Sequence, residues 1–136
     1  MRRLILILLS VLININLQAQ SCDEIMKFVK SEGGYGTTFT SYNSDAISKV
    51  TFYQLTADYK TLYFAIVCFK EKSSYGCTEY IYQVGPNTKL SYSMNYLTSA
   101  GKAFWEYIHP YSKNLDCAPN FGWHRLPCSP GLNYFK

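Results

Sequence analysis

Apolar residues recur with the two-residue period of β-strands through the middle of this chain. Four segments rich in β-branched and aromatic residues are predicted strands, at residues 38–42, 47–55, 62–69 and 78–84. The segment 62–69 is apolar at every position, which is typical of a strand that is covered on both faces. We therefore predict an antiparallel sheet with 62–69 as a central strand.

Residues 89–96 show the most regular alternation in the chain. Apolar side chains occupy Leu90, Tyr92, Met94 and Tyr96, and polar ones occupy Ser91, Ser93 and Asn95. Such alternation is typical of a strand with one solvated face, so it predicts a fifth strand here.

Helical spacing occurs on either side of these strands. In residues 22–32, the acidic Asp23 and Glu24 come first and Gly33 follows the last position, as at the two ends of a helix. A second helix is predicted to begin after Thr98 or Ser99 and to end before Pro110, with an apolar stripe at Ala100, Ala103, Phe104, Tyr107 and Ile108. The predicted fold is α+β: an antiparallel sheet of four to five strands flanked by an N-terminal and a C-terminal helix.

The first 19 residues have the pattern of a secretory signal peptide. Arg2 and Arg3 precede an apolar run over residues 4–13, and the small residue Ala19 closes the segment. We expect cleavage after Ala19 and no membrane span, because this run is shorter than the roughly 20 residues that cross a bilayer. The protein is then secreted or periplasmic, with an N-terminal segment at 20–43, a core at 44–112 and a Cys/Pro-rich tail at 113–136 packed on the core.

Charge gives little support to nucleic acid as a partner. Without the two signal-peptide arginines, the 13 Lys and Arg of the chain become 11, against 9 Asp and Glu. Nucleic-acid binding usually needs a clustered basic surface, and this excess is small and spread along the chain. The 13 tyrosines and 8 phenylalanines instead supply a large buried area to a small core.

Five cysteines in an exported protein predict disulfide bracing with one cysteine left over. Cys68 and Cys77 flank a polar turn and are predicted to pair across a hairpin, and Cys117 and Cys128 are predicted to bridge a segment rich in proline and glycine. Cys22 remains. It could be a free thiol, an intermolecular link, a rival partner in either pair, or a lipid anchor, although residues 19–21 fit a lipidation signal poorly.

Residues 44–111 resemble the KTSC domain, a family named from a C-terminal segment of some lysyl-tRNA synthetases. The similarity follows four elements in order, and its positions are Ile47, Val50 and Tyr53; Leu62 and Phe64; Tyr80, Tyr82 and Val84; and Ser99, Gly101, Phe104, Ile108 and Tyr111. The resemblance implies a fold and no established activity. The family has a helix before the Ser-x-Gly segment, where the alternation described above predicts a strand.

No arrangement of residues indicates catalysis strongly. Glu106 and His109 have helical spacing for an acid–base or metal pair, but a histidine at a helix end is commonly a favourable terminus for the dipole. Cys117, His124 and Cys128 have zinc-ligand chemistry, but thiols in an exported protein are usually oxidised. We predict no catalytic residue, no metal and no cofactor.

Tyrosine pairs are the remaining candidates for a binding surface. Tyr80 and Tyr82 share one strand face, Tyr92 and Tyr96 are predicted to share another, and Trp123 lies in the tail. Packing is the favoured role for these rings, and a platform for a protein or carbohydrate ligand is the alternative. The sequence therefore predicts a non-catalytic binding domain of unknown ligand; the alternatives are a structural cell-envelope domain, or a hydrolase or metal-binding protein using His109 or His124.

Overall fold

A computed structural model describes residues 21–121 and shows an α+β fold. Its elements are α1 (Cys22–Glu32), β1 (Thr37–Thr40), β2 (Ile47–Ala57), β3 (Lys60–Lys70), β4 (Cys77–Val84), α2 (Thr88–Asn95), α3 (Ala100–Tyr107) and a 3-10 turn at His109–Tyr111. The strands form one antiparallel sheet in the order β1-β2-β3-β4. The predicted fold class is confirmed. The predicted signal peptide, Trp123, His124 and Cys128 lie outside the described residues.

Strand β3 is an inner strand of the sheet, as its apolar sequence predicts. Residues 64–68 are all buried, and β2 and β4 pair with β3 on either side. The β2–β3 hairpin turns on Asp58 and Tyr59, both with positive φ, which is the backbone of a tight hairpin turn. This turn lets both strands run further than predicted, so that Ala57 pairs with Lys60.

The sheet has a hydrophobic core on each face. On one face, α2, α3 and the 3-10 turn pack over strand residues that include Val50, Val67 and Tyr82. On the opposite face, α1 places Val29 over Phe64, Ile66 and Ile81. A sheet covered on both faces accounts for the run of apolar positions in β3.

Helix α1 has well-defined ends and is tied to the sheet. Ser21 and Glu24 form a capping box, with N···O distances of 3.3 Å to Ser21 Oγ and 3.0 Å to Glu24 Oε2. Lys30 forms an ion pair with Glu79 of β4. After the helix, Gly33 approaches the Tyr53 ring so closely that a Cβ there would lie 2.8 Å from Tyr53 Cδ1, so a side chain would push α1 away from β2.

The predicted strand at 89–96 is wrong, because Thr88–Asn95 is helix α2. Alternation every second residue also places Tyr92 and Tyr96 four apart on one helical face, and Leu90 and Met94 four apart on another. Tyr92 is fully buried, whereas Leu90 and Met94 are 60% and 69% exposed. The burial of Tyr92 against the sheet therefore outweighs the strand preference of the local sequence.

Helix α3 begins as predicted. Ser99 is its N-cap, and its hydroxyl accepts a hydrogen bond from the Lys102 amide at 3.2 Å. The buried residues of its stripe are Ala100, Ala103, Phe104 and, at the C-cap, Ile108.

Two disulfides brace the described residues. Cys68 and Cys77 are joined across the β3–β4 hairpin, with their Cα atoms 5.4 Å apart, which is the predicted pairing. Cys117 is joined to Cys22 and not to Cys128, so the predicted second bridge is corrected. The chain returns after the 3-10 turn to the N-terminal end of α1, which brings the Cα atoms of Cys22 and Cys117 to 5.6 Å.

The bridges also bear on compartment and anchoring. Disulfides of this kind are typical of an oxidising environment outside the cytoplasm. A disulfide-bonded Cys22 has no thiol to carry a lipid anchor. Within residues 21–121, no helix has the length and apolar character needed to cross a membrane.

Candidate functional site

The tyrosines singled out from the sequence belong mainly to the core. Tyr82 and Tyr92 are 1% and 0% exposed. Tyr80 and Tyr96 are half-buried, and each contacts a core ring: Tyr80 lies 5.8 Å from Phe69 and Tyr96 stacks on Tyr92 at 5.8 Å. These four side chains therefore pack the molecule and form no exposed platform among themselves.

Glu106 and His109 have different neighbours in the structure. The His109 ring lies 4.2 Å from that of Trp105 and 6.1 Å from that of Phe121. Glu106 is exposed instead, and its carboxylate accepts a hydrogen bond from the Tyr107 hydroxyl, which raises the pKa of Tyr107. Over residues 21–121, no three His, Cys, Asp or Glu side chains come together in a way that could hold a metal ion.

The best-defined concavity is a cleft of about 170 Å³ at one end of the molecule, here called the Ser41 cleft. One wall is the end of β1 and the loop to β2, residues 40–45. The other wall is residues 96–101, which connect α2 to α3 and form the first turn of α3. Of the predicted site residues described by the structure, Tyr96 lines this cleft.

The loop wall is held in place by hydrogen bonds to the sheet. The Ser41 amide donates to the Ser48 carbonyl at 2.8 Å, and the Ile47 amide donates to Ser44 Oγ at 3.1 Å. The Lys70 ammonium group donates to the Ser44 carbonyl. Ser41 and Ser44 are therefore held at the edge of the sheet.

Ser41 is the buried polar residue of the loop wall. It is 7% exposed, and its Oγ is shielded from solvent next to the Tyr92 hydroxyl. Burial raises the pKa of Tyr92 to about 12, and a side-chain hydrogen bond with Ser41 opposes this with a smaller effect. The two hydroxyls therefore face each other inside the wall, and Ser41 Oγ has no surface that a ligand in the cleft could reach.

The opposite wall offers backbone donors. The first-turn amides of α3, at Ala100 and Gly101, have no acceptor within the helix. Ser99 and Gly101, which are positions of the KTSC resemblance, both line this wall. Around the rest of the cleft, Asn43, Asp45 and Thr98 have exposed polar side chains.

A second groove, of about 430 Å³, lies at the Thr37 end of β1 and includes Tyr35, Tyr63 and Lys89. It is larger than the Ser41 cleft. We take the Ser41 cleft as the candidate site because its walls carry the exposed polar side chains of Asn43, Asp45 and Thr98 beside the exposed Tyr42 and Leu97.

Sequence reasoning did not find this cleft, because its walls come from segments more than 50 residues apart. The available signals were the polar turn at residues 41–45 and the Ser-x-Gly start of α3. Neither signal indicates that the two segments meet.

Comparison with known proteins adds no relative. No protein-family model matches the chain, and neither a curated protein nor a solved structure shows significant similarity to it.

Proposed function

We propose that this chain is an exported, non-catalytic binding domain that takes a small polar ligand in the Ser41 cleft. The observation that carries the proposal is the arrangement of the cleft, in which the exposed polar side chains of Asn43, Asp45 and Thr98 lie beside the exposed Tyr42 and Leu97. A small polar ligand can hydrogen bond to these polar side chains while it contacts the apolar ones.

Two further features support export and the domain type. The disulfides suit an oxidising compartment, in line with the signal-peptide pattern of residues 1–19. Helix α2 lies at the position where the KTSC family has a helix, which agrees with the resemblance. The strand predicted there did not agree with it.

A protein-observed NMR fragment screen tests the proposal. The isotope-labelled mature protein is exposed to a mixed library of neutral, anionic, cationic and apolar fragments. We expect the largest amide shift changes at residues 40–45 and 96–101, with hits that lose binding in a Tyr42→Ala variant and keep it in Tyr75→Ala. Both rings are highly exposed, and Tyr75, on the β3–β4 hairpin, does not line the cleft.

Hits that cluster elsewhere, or a library that produces none, would contradict the proposal. A screen in which Tyr75→Ala and Tyr42→Ala lose binding equally would also contradict it, because the effect would then not be local to the cleft.

A further inference from the structure

We infer that the ligand of the Ser41 cleft is a neutral sugar, bound as one unit of an oligosaccharide. The inference rests on the proposed function and adds the chemical class of the ligand. Charge, hydrogen-bonding capacity, the apolar rim and the rigidity of the walls support it separately.

The charge of the lining argues against an anionic ligand. Asp45 is the only residue lining the cleft that is charged at neutral pH, and no Lys or Arg lines it. A carboxylate in the wall repels phosphates, carboxylates and nucleic acids, and the Lys70 ammonium group beside this wall donates to the Ser44 carbonyl and does not line the cleft. The positive end of α3 would attract an anion, but Asp45 opposes that attraction, so an uncharged ligand fits the site better.

Both donors and acceptors are present around the cleft. The Asp45 carboxylate only accepts hydrogen bonds, the Asn43 amide both donates and accepts, and the free amides of α3 donate. A sugar carries neighbouring hydroxyl groups, each of which both donates and accepts. Such a ligand can therefore satisfy both walls.

The rim of the cleft is apolar. Tyr42 is 87% exposed and Leu97 is 78% exposed, one on each wall. These two side chains give a ligand in the cleft an apolar surface on each wall. The face of a pyranose ring carries C–H groups that pack on an aromatic ring, while its edge presents hydroxyls to the polar residues.

Size and rigidity set the extent of the site. A volume of about 170 Å³ is below the range of about 300–1,000 Å³ for pockets that enclose drug-sized ligands, which suits one sugar unit with its neighbours outside. Because hydrogen bonds to Ser48 and Lys70 already fix the loop wall, binding costs little ordering of the protein.

A protein partner is the competing class of ligand. Leu90 and Met94 of α2, with Leu97 just after it, form an exposed apolar line that ends at the cleft. Nothing in the structure identifies what would cover this line, whereas the cleft itself has the chemistry of a sugar site. The test therefore includes a variant of the line.

The experiment is a calorimetric and NMR titration of the mature protein with chitotetraose, cellotetraose and maltotetraose, and with inorganic phosphate as the anionic probe. We expect at least one oligosaccharide to bind and to shift amides of residues 40–45 and 96–101. Tyr42→Ala and Asp45→Ala should each weaken it about tenfold, as expected when a ring contact or a charge-assisted hydrogen bond is lost. Tyr75→Ala and Met94→Asp should leave the affinity unchanged.

The outcomes separate this inference from the proposed function. If phosphate alone binds the cleft, or if fragments bind there and no oligosaccharide does, the sugar assignment is wrong and the binding site stands. If Met94→Asp abolishes oligosaccharide binding while Tyr42→Ala does not, recognition takes place on α2 and the sugar assignment to the cleft is wrong. If neither fragments nor oligosaccharides shift the cleft amides, both the sugar assignment and the proposed function are wrong.

Discussion

At the scale of residues, buried hydroxyls distinguish this core from an ordinary one. The Ser41 and Tyr92 hydroxyls lie next to each other, and a side-chain hydrogen bond with Ser41 lowers the pKa of Tyr92 against the larger effect of burial. The Tyr82 hydroxyl is buried without a hydrogen-bond partner among residues 21–121. Tyr82 lies against Phe104 at 5.7 Å in the middle of the core, away from the cleft lining, so its hydroxyl is a cost without an evident function.

Removing the Tyr82 hydroxyl should therefore stabilise the fold. We expect Tyr82→Phe to raise the free energy of unfolding by about 1 kcal/mol, because the ring contacts remain and the unpaired polar group is gone. Urea denaturation measures the change, with Tyr80→Phe, on a half-buried ring, as the control without effect. A loss of stability in Tyr82→Phe would show that its hydroxyl has a partner.

Buried tyrosines should also make the fold sensitive to alkali. Burial raises the pKa of Tyr92 from 10.0 to about 12 and raises that of Tyr82 as well. The folded state then keeps protons that the unfolded state loses, so stability is complete below pH 10 and falls as pH rises from 10 towards 12. Each group contributes up to about 1.4 kcal/mol per pH unit.

Denaturation midpoints measured between pH 8 and pH 12 test this sign. A Tyr92→Phe variant should show a shallower fall than the wild type, and Tyr75→Phe, which removes an exposed hydroxyl, should show the same fall as the wild type. If the denaturation midpoint falls equally with pH in all three proteins, the burial of the Tyr92 hydroxyl is contradicted.

At the scale of elements, α2 shows where sequence pattern stops determining structure. The strands β2 to β4 and the helices α1 and α3 follow from apolar period, caps and turn residues. Residues 89–96 satisfy both a strand and a helix pattern, because positions two apart include positions four apart. Packing of Tyr92 against Phe52 and Phe39, which are 40 and 53 residues away in the chain, decides between them. No local pattern carries that information.

A pair of alanine substitutions distinguishes the two patterns. In the helix, Tyr92→Ala empties the core and should cost about 3–5 kcal/mol, whereas Met94→Ala on the exposed face should cost less than about 0.5 kcal/mol. In a strand both side chains would share the buried face. Comparable losses in the two variants by urea denaturation would therefore contradict the helix.

At the scale of the whole molecule, the Cys22–Cys117 bridge closes the fold around the sheet. It spans 95 residues and ties α1 to the segment after the 3-10 turn, whereas Cys68–Cys77 spans 9 residues within one hairpin. The hairpin bridge follows from sequence, because its cysteines flank one turn. The long bridge does not, since cysteine spacing alone cannot say that the chain returns to its own beginning.

The two bridges should differ in their effect on stability. In the chain-entropy model, closing a loop of 95 residues stabilises by about 4.7 kcal/mol and closing one of 9 residues by about 2.6 kcal/mol. The double variant Cys22→Ser/Cys117→Ser should thus lose about 2 kcal/mol more than Cys68→Ser/Cys77→Ser in non-reducing denaturation. A larger loss from the hairpin pair, or a peptide map that links Cys117 to Cys128, would contradict this account.

The central claim is that the Ser41 cleft is the place where this protein binds its ligand. The most direct test is to solve crystal structures soaked in several small polar organic solvents and to map where the solvent molecules collect. We predict that different solvents superpose between residues 40–45 and 96–101, with polar atoms within hydrogen-bond distance of the Asn43 or Asp45 side chain. Solvent molecules scattered over the surface, with the cleft holding none that recur, would contradict the claim.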